Sequence, residues 1–196
     1  TTFAWVALPA FGCLPFIFGA PQASLADAVF EAVSGFTTTG STAFVKLETL
    51  PRGVLLWRGM MQWFGGVGII VVAMAFLPTL KVGGMQIFRS EGFDTFGKIL
   101  PRATEIASRV AWIYLALTVA CTVSYLAVGM GTFDALAHAM TTVSTGGFAA
   151  YDASFGAFAP GAQYASILFM VLAALPFVRF VQLTHGQGQA LFTDRQ

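Results

Sequence analysis

Apolar residues gather in four long runs, separated by connections rich in glycine, serine and threonine. Residues 1–19 are apolar but interrupted by Pro9, Gly12 and Pro15, which predicts a broken or kinked spanning helix. Residues 59–80 carry no charge, with Arg58 just before them, and residues 110–131 are again uncharged. A fourth run lies within 161–178 and ends at Arg179. About 20 apolar residues are needed to cross a hydrocarbon core of ~30 Å, and three of the four runs meet or approach that length. They are too continuously apolar for barrel strands, which alternate with period two. The pattern predicts an all-α membrane protein.

Composition agrees. Of 196 residues, 57% are hydrophobic and only 10% charged, against roughly 25% charged in ordinary soluble domains. Such a chain has too little charge to cover a water-facing surface, and it is the reverse of a disordered segment. A net charge of +1 provides no field for nucleic acid. Lys81, Arg89, Lys98, Arg102 and Arg109 fall between the second and third runs, whereas 129–162 holds neither Lys nor Arg. The positive-inside rule then places 81–109 and the C-terminal tail in the cytoplasm, and 20–57 and 129–162 outside. Lys46 and Arg52 weaken that bias without reversing it. Residues 1–26 also loosely resemble a signal peptide, but the basic leading region is missing.

The two outward connections repeat each other. Asp27-Ala28-Val29-Phe30-Glu31-Ala32-Val33 lies in register with Asp134-Ala135-Leu136-Ala137-His138-Ala139-Met140. The same offset carries Thr37-Thr38-Thr39-Gly40 onto Ser144-Thr145-Gly146-Gly147. Each unit reads as span, short helix, Thr/Gly loop, span, and both run in the same direction. A short helix of about ten residues cannot cross the bilayer, so it is expected to be re-entrant. Irregular backbone at membrane depth is tolerated only where protein buries it or it lines a water-filled cavity. The helix C-terminus brings partial negative charge to the loop, glycines at 40 and 147 permit positive φ, and hydroxyls of Thr37, Thr38, Thr39, Ser144 and Thr145 add neutral oxygens. Oxygen-lined constrictions of this kind suit a dehydrated monovalent cation. One such run alone would be read as an ordinary polar loop; two in register are not.

Four stretches, DAVFEAVSGFTTTGSTAF (27–44), LWRGMMQWFGGVGIIVVAMAFLP (56–78), VGGMQIF (82–88) and VSTGGF (143–148), resemble the TrkH family of potassium-translocating subunits, within the Trk/Ktr/HKT superfamily. The resemblance implies helix–pore-loop–helix repeats like potassium-channel pore units, four to a polypeptide around one pore. It also implies that Thr37, Thr38, Thr39, Gly40, Ser144, Thr145, Gly146 and Gly147 form part of a selectivity filter that coordinates K⁺ through backbone carbonyls. In plant relatives, serine in place of the first filter glycine accompanies sodium preference, so Gly40 favours K⁺. A Na⁺-permeable or ion-coupled transporter of the same superfamily is the alternative. On this reading residues 1–80 form the first repeat, 81–102 a cytoplasmic connector, 103–185 the second repeat and 186–196 a tail. The first two of four repeats are then present, as expected of a piece of a longer inner-membrane protein. The resemblance further implies a homodimer and a cytoplasmic nucleotide-binding subunit of TrkA type, with no cofactor beyond the transported ion.

Other residues receive ordinary assignments. Arg58 is expected to snorkel to the interface, with binding to Glu31 or to the filter loop as the lesser use. Asp27 and Asp134 fit N-terminal capping. Gly65-Gly66-Val67-Gly68 is read as a close helix contact rather than a hinge. Cys13 and Cys121 are read as small buried hydrophobes, and Trp5, Trp57, Trp63 and Trp112 as belt or packing residues. No cluster suited to catalysis is present, so an intramembrane enzyme is not supported. A secondary transporter of inverted repeats is disfavoured because these repeats are parallel.

Overall fold

The computed structural model describes residues 2–76 and 103–175, and side chains within 5–68 and 108–175 together with Phe3. The connector expected at 81–102, and Arg179, His185 and Arg195, lie outside the described residues. The chain divides into two compact units, residues 1–67 with 116–175 and residues 68–115 with 176–196. The first contains both short helices and both Thr/Gly loops. The second contributes helical continuations at 68–76 and 103–115.

The described elements are helical. The first apolar run splits into α1 (Thr2–Gly12) and α2 (Leu14–Phe18), with the break at Cys13 just before Pro15 in the first turn of α2. Next come α3 (Leu25–Phe36), a 3-10 turn at Leu47–Thr49, and α4 (Arg52–Phe76). The second half holds α5 (Ala103–Ala127), α6 (Thr132–Val143), a 3-10 turn at Ser154–Ala157 and α7 (Pro160–Ala174). Among the described residues, Ser108–Ala127 is the one helix long and apolar enough to cross a membrane by length and composition. Helix α4 begins earlier than residue 59, which changes the position of Arg58 as described below.

The short helices start differently. Ser24 caps α3 by accepting the Asp27 N–H, and its hydroxyl donates to Asp27 Oδ2 at 2.7 Å. Asp27 therefore stands in the first turn, joined to the capping Ser24 through its hydroxyl, rather than as the cap. The residue before α6 is Gly131, which has no side chain to cap with. Asp134 instead accepts a hydrogen bond from the Tyr151 hydroxyl at 3.3 Å.

Helix α4 packs against both short helices through close contacts at small residues. A Cβ on Gly59 would lie 3.3 Å from the Ala137 carbonyl oxygen on α6, and Met61 packs on Gly35 of α3. A Cβ on Gly65 would overlap the Phe36 carbonyl, so the packing assignment holds at Gly65, while Gly68 has open space around it. Phe36, Met61, Ala28, Ala32, Phe16 and Cys13 form one buried cluster there. Cys13 and Cys121 are both buried free thiols. Gly65→Ala is expected to push α4 off α3 and to cost about 1–3 kcal/mol, as overpacking does. The check is the melting temperature of the detergent-solubilised protein.

Candidate functional site

Both short helices run into their loops through the same backbone motif. After α3, Thr38 N–H bonds to Gly35 O and Thr39 N–H to Ser34 O; after α6, Thr145 N–H bonds to Thr142 O and Gly146 N–H to Thr141 O. This is the Schellman pairing, whose left-handed position is usually glycine. Here that position is threonine in both loops, with φ of +55° at Thr38 and +53° at Thr145. A β-branched residue there is an outlier that costs roughly 1–2 kcal/mol. Two residues on, Gly40 and Gly147 take φ of +80° and +79°, while Thr39 and Gly146 between them stay outside the positive range. The sign of φ therefore alternates in both loops.

The motif turns the N–H groups of the loop back onto the helix. Among the described residues no hydrogen bond is donated to the carbonyl oxygens of Thr37, Thr38, Thr39, Gly40, Thr145, Gly146 or Gly147. The hydroxyls behave unequally. Thr37 Oγ1 donates to Val33 O and lies 2.8 Å from Thr39 Oγ1. Ser144 Oγ is turned back onto Thr141 O and buried, and Thr145 Oγ1 donates to Ser144 O. The two loops also touch: a Cβ on Gly40 would overlap the Gly146 carbonyl oxygen. The eight residues singled out in the sequence thus form two adjoining strips of like backbone shape.

The loops are anchored at equivalent positions by unlike side chains. Glu31 on α3 accepts the Ala43 N–H at 3.0 Å and the Thr42 hydroxyl. His138, in register on α6, accepts the Ala150 N–H at Nε2, 3.3 Å away. An N–H can only donate, so Nε2 is unprotonated, and Nδ1–H donates to Asp134 O at 2.8 Å. Phe155, Phe158 and Tyr151 enclose the ring.

Arg58 corrects the snorkelling expectation. Because α4 starts at Arg52, Arg58 lies within the helix and faces inward, only 1% exposed. Its Nε donates to Glu31 Oε1 at 2.6 Å, its Nη1 donates to Ala149 O at 2.8 Å, and its guanidinium lies over the Phe148 ring. Arg58 therefore holds the segment after the second loop directly and the segment after the first through Glu31. Sequence reasoning missed Gln62 altogether. It lies one turn further along α4, is fully buried, and accepts the Phe148 N–H at Oε1. A signal was present: Arg58, Gln62 and Gly65 share one face of an otherwise apolar helix at i, i+4 and i+7.

A third tie lies at the loop surface. The Asp152 carboxylate accepts the N–H groups of Leu47 and Lys46, at 3.0 and 2.8 Å, and these hold its pKa below the usual carboxylate range. A lowered folded-state pKa stabilises the fold above the unfolded value and loses that effect as pH falls through the lowered one. Asp152→Asn should therefore melt at a slightly lower temperature than wild type at neutral pH. The gap should close in acid, which a pH series of melting curves would show.

A family model described as TrkH, cation transport protein, matches residues 1–185. The Trk system potassium uptake protein TrkI of Halomonas elongata is 49% identical over 198 residues, covering 100% of this chain and 40% of its own length. TrkH of Escherichia coli K12 is 42% identical over 192 residues, covering 96% of this chain and 40% of its own. The crystal structure of the potassium transporter TrkH from Vibrio parahaemolyticus superposes with a TM-score of 0.83 at 37% identity, over 97% of this chain and 39% of that one. The chain thus spans about 40% of the length of the curated relatives it matches. The family match across nearly the whole sequence, with these identities, establishes that the chain belongs to the TrkH family of cation transport proteins, which are transporters and not enzymes.

Proposed function

We propose that this chain supplies two of the four pore-loop repeats of a K⁺ uptake pore, and that Thr37–Gly40 and Ser144–Gly147 are its share of the selectivity filter. The observation that carries the reading is the pair of alternating-φ loops whose carbonyl oxygens receive no hydrogen bond among the described residues. Uncommitted carbonyls at a helix C-terminus can replace the hydration shell of a monovalent cation. Helices α3 and α6 have 12 residues each, about 18 Å at ~1.5 Å per residue. That is too short to cross ~30 Å of hydrocarbon, which supports a re-entrant placement, and the positive-inside pattern favours an opening to the outside.

A TrkH-family transporter is a membrane protein, and the outer faces of this one suit lipid. Phe3, Phe11 and Phe18 on the first run, Val119 and Val123 on α5, and Ile167 and Val171 on α7 are exposed, large apolar side chains of the kind a lipid surface covers. The remaining two repeats complete the ring, a second copy completes the dimer, and a nucleotide-binding subunit of TrkA type docks on the cytoplasmic side. The test is cation uptake by the complete transporter in cells lacking their own K⁺ uptake. Wild type should favour K⁺ over Na⁺, and Gly40→Ser should relax that preference. Unchanged selectivity would remove the filter assignment.

A further inference from the structure

Gln62 is a side-chain amide in an apolar helix, with no exposed surface. Its Oε1 accepts the N–H of Phe148, the residue immediately after Gly147, at 3.1 Å. Its amide also lies flat against Gly146, where any Cβ would overlap its Cδ, Oε1 and Nε2. Gly40 of the other loop also crowds Gly146: a Cβ on Gly40 would overlap the Gly146 carbonyl oxygen and would stand 3.7 Å from Gln62 Nε2. Gly146 is thus in close contact with both the Gln62 amide and the other loop. Among the described residues Nε2 meets no hydrogen-bond partner.

We infer that Gln62 is a positioning residue for ion discrimination: through Phe148 and Gly146 it fixes where the Gly146 carbonyl stands relative to the first loop. The inference rests on the filter reading above. A ring of carbonyls distinguishes ions by how its oxygens are spaced and how firmly they are held, so a loosened Gly146 admits the smaller ion more readily. Gln62 needs no contact with the ion to do this.

The test is the ratio of Rb⁺ to Na⁺ flux in the complete transporter carrying Gln62→Met, with the amount of protein in the membrane measured alongside. Loss of the Phe148 bond should lower the ratio about fivefold, the equivalent of one buried hydrogen bond, while cation flux as such persists. A merely structural role would reduce both fluxes in proportion to the protein present and leave the ratio unchanged. That result would overturn the inference. If Gln62→Met does not reach the membrane, Gln62→Asn decides on the same ratio, since it keeps an amide but is one methylene too short to reach Phe148. Gly40→Ser serves as the control. If it relaxes selectivity and the Gln62 variants do not, Gln62 is excluded and the filter stands. If none of the variants changes the ratio, the filter reading itself fails.

Discussion

Arg58→Leu is expected to leave little folded protein in the membrane. The substitution strands Glu31, which is fully buried, and breaking a buried ion pair by removing one partner costs about 3–5 kcal/mol. The Ala149 bond and the contact with Phe148 go with it. Set against total stabilities of about 5–15 kcal/mol, that is a large share. Glu31→Gln alone should also destabilise, by leaving the guanidinium unpaired. The double variant Glu31→Gln with Arg58→Met should recover part of the loss, because it buries no charge and methionine follows the same course along α4. Fluorescence-detected size exclusion after heating would measure all three. A wild-type melting temperature for Arg58→Leu would mean that the pair does not hold the loops together.

The second large effect separates two glycines that look alike in sequence. Gly40 and Gly147 share a φ near +80°, so serine at either one incurs left-handed strain of roughly 1–2 kcal/mol. Their surroundings differ. A Cβ at Gly40 overlaps the Gly146 carbonyl oxygen, whereas one at Gly147 meets nothing within 4 Å. Gly40→Ser must therefore move two loops, and Gly147→Ser disturbs only its own. K⁺ over Na⁺ discrimination should fall at least about tenfold for Gly40→Ser, or ~1.4 kcal/mol, and distinctly less for Gly147→Ser. Competitive uptake measured on the complete transporter would rank them. Equal losses would mean that contact between the loops is not what sets the spacing.

Much of this was legible in the chain. The short helices, the loops after them and the positive φ at Gly40 and Gly147 follow from local signals: an apolar run of limited length, then hydroxyl residues, then glycine. The break in the first run at Cys13 follows from Pro15. What sequence reading misjudged were the side chains that reach between the repeats. Arg58 looked like an interfacial residue because the charge-free stretch begins after it, whereas the helix begins at Arg52, so an inward-facing turn was mistaken for an end. Gln62 is legible only together with Arg58 and Gly65 on the same face of α4, because a single amide in an apolar run gives no signal alone. Asp152 lies in a loop, and its partners Lys46 and Leu47 belong to the other half of the chain. Local patterning encodes each repeat, whereas the ties between repeats depend on which faces meet.

Glu31 and His138 stand at corresponding places and hold corresponding amides, one as a carboxylate paired with arginine and the other as a neutral ring among aromatics. Two duplicated segments have kept a backbone conformation while exchanging the chemistry that maintains it. The two loops are thus alike along their backbone and unlike immediately behind it. Each loop can therefore differ in stiffness and response while keeping the same backbone shape.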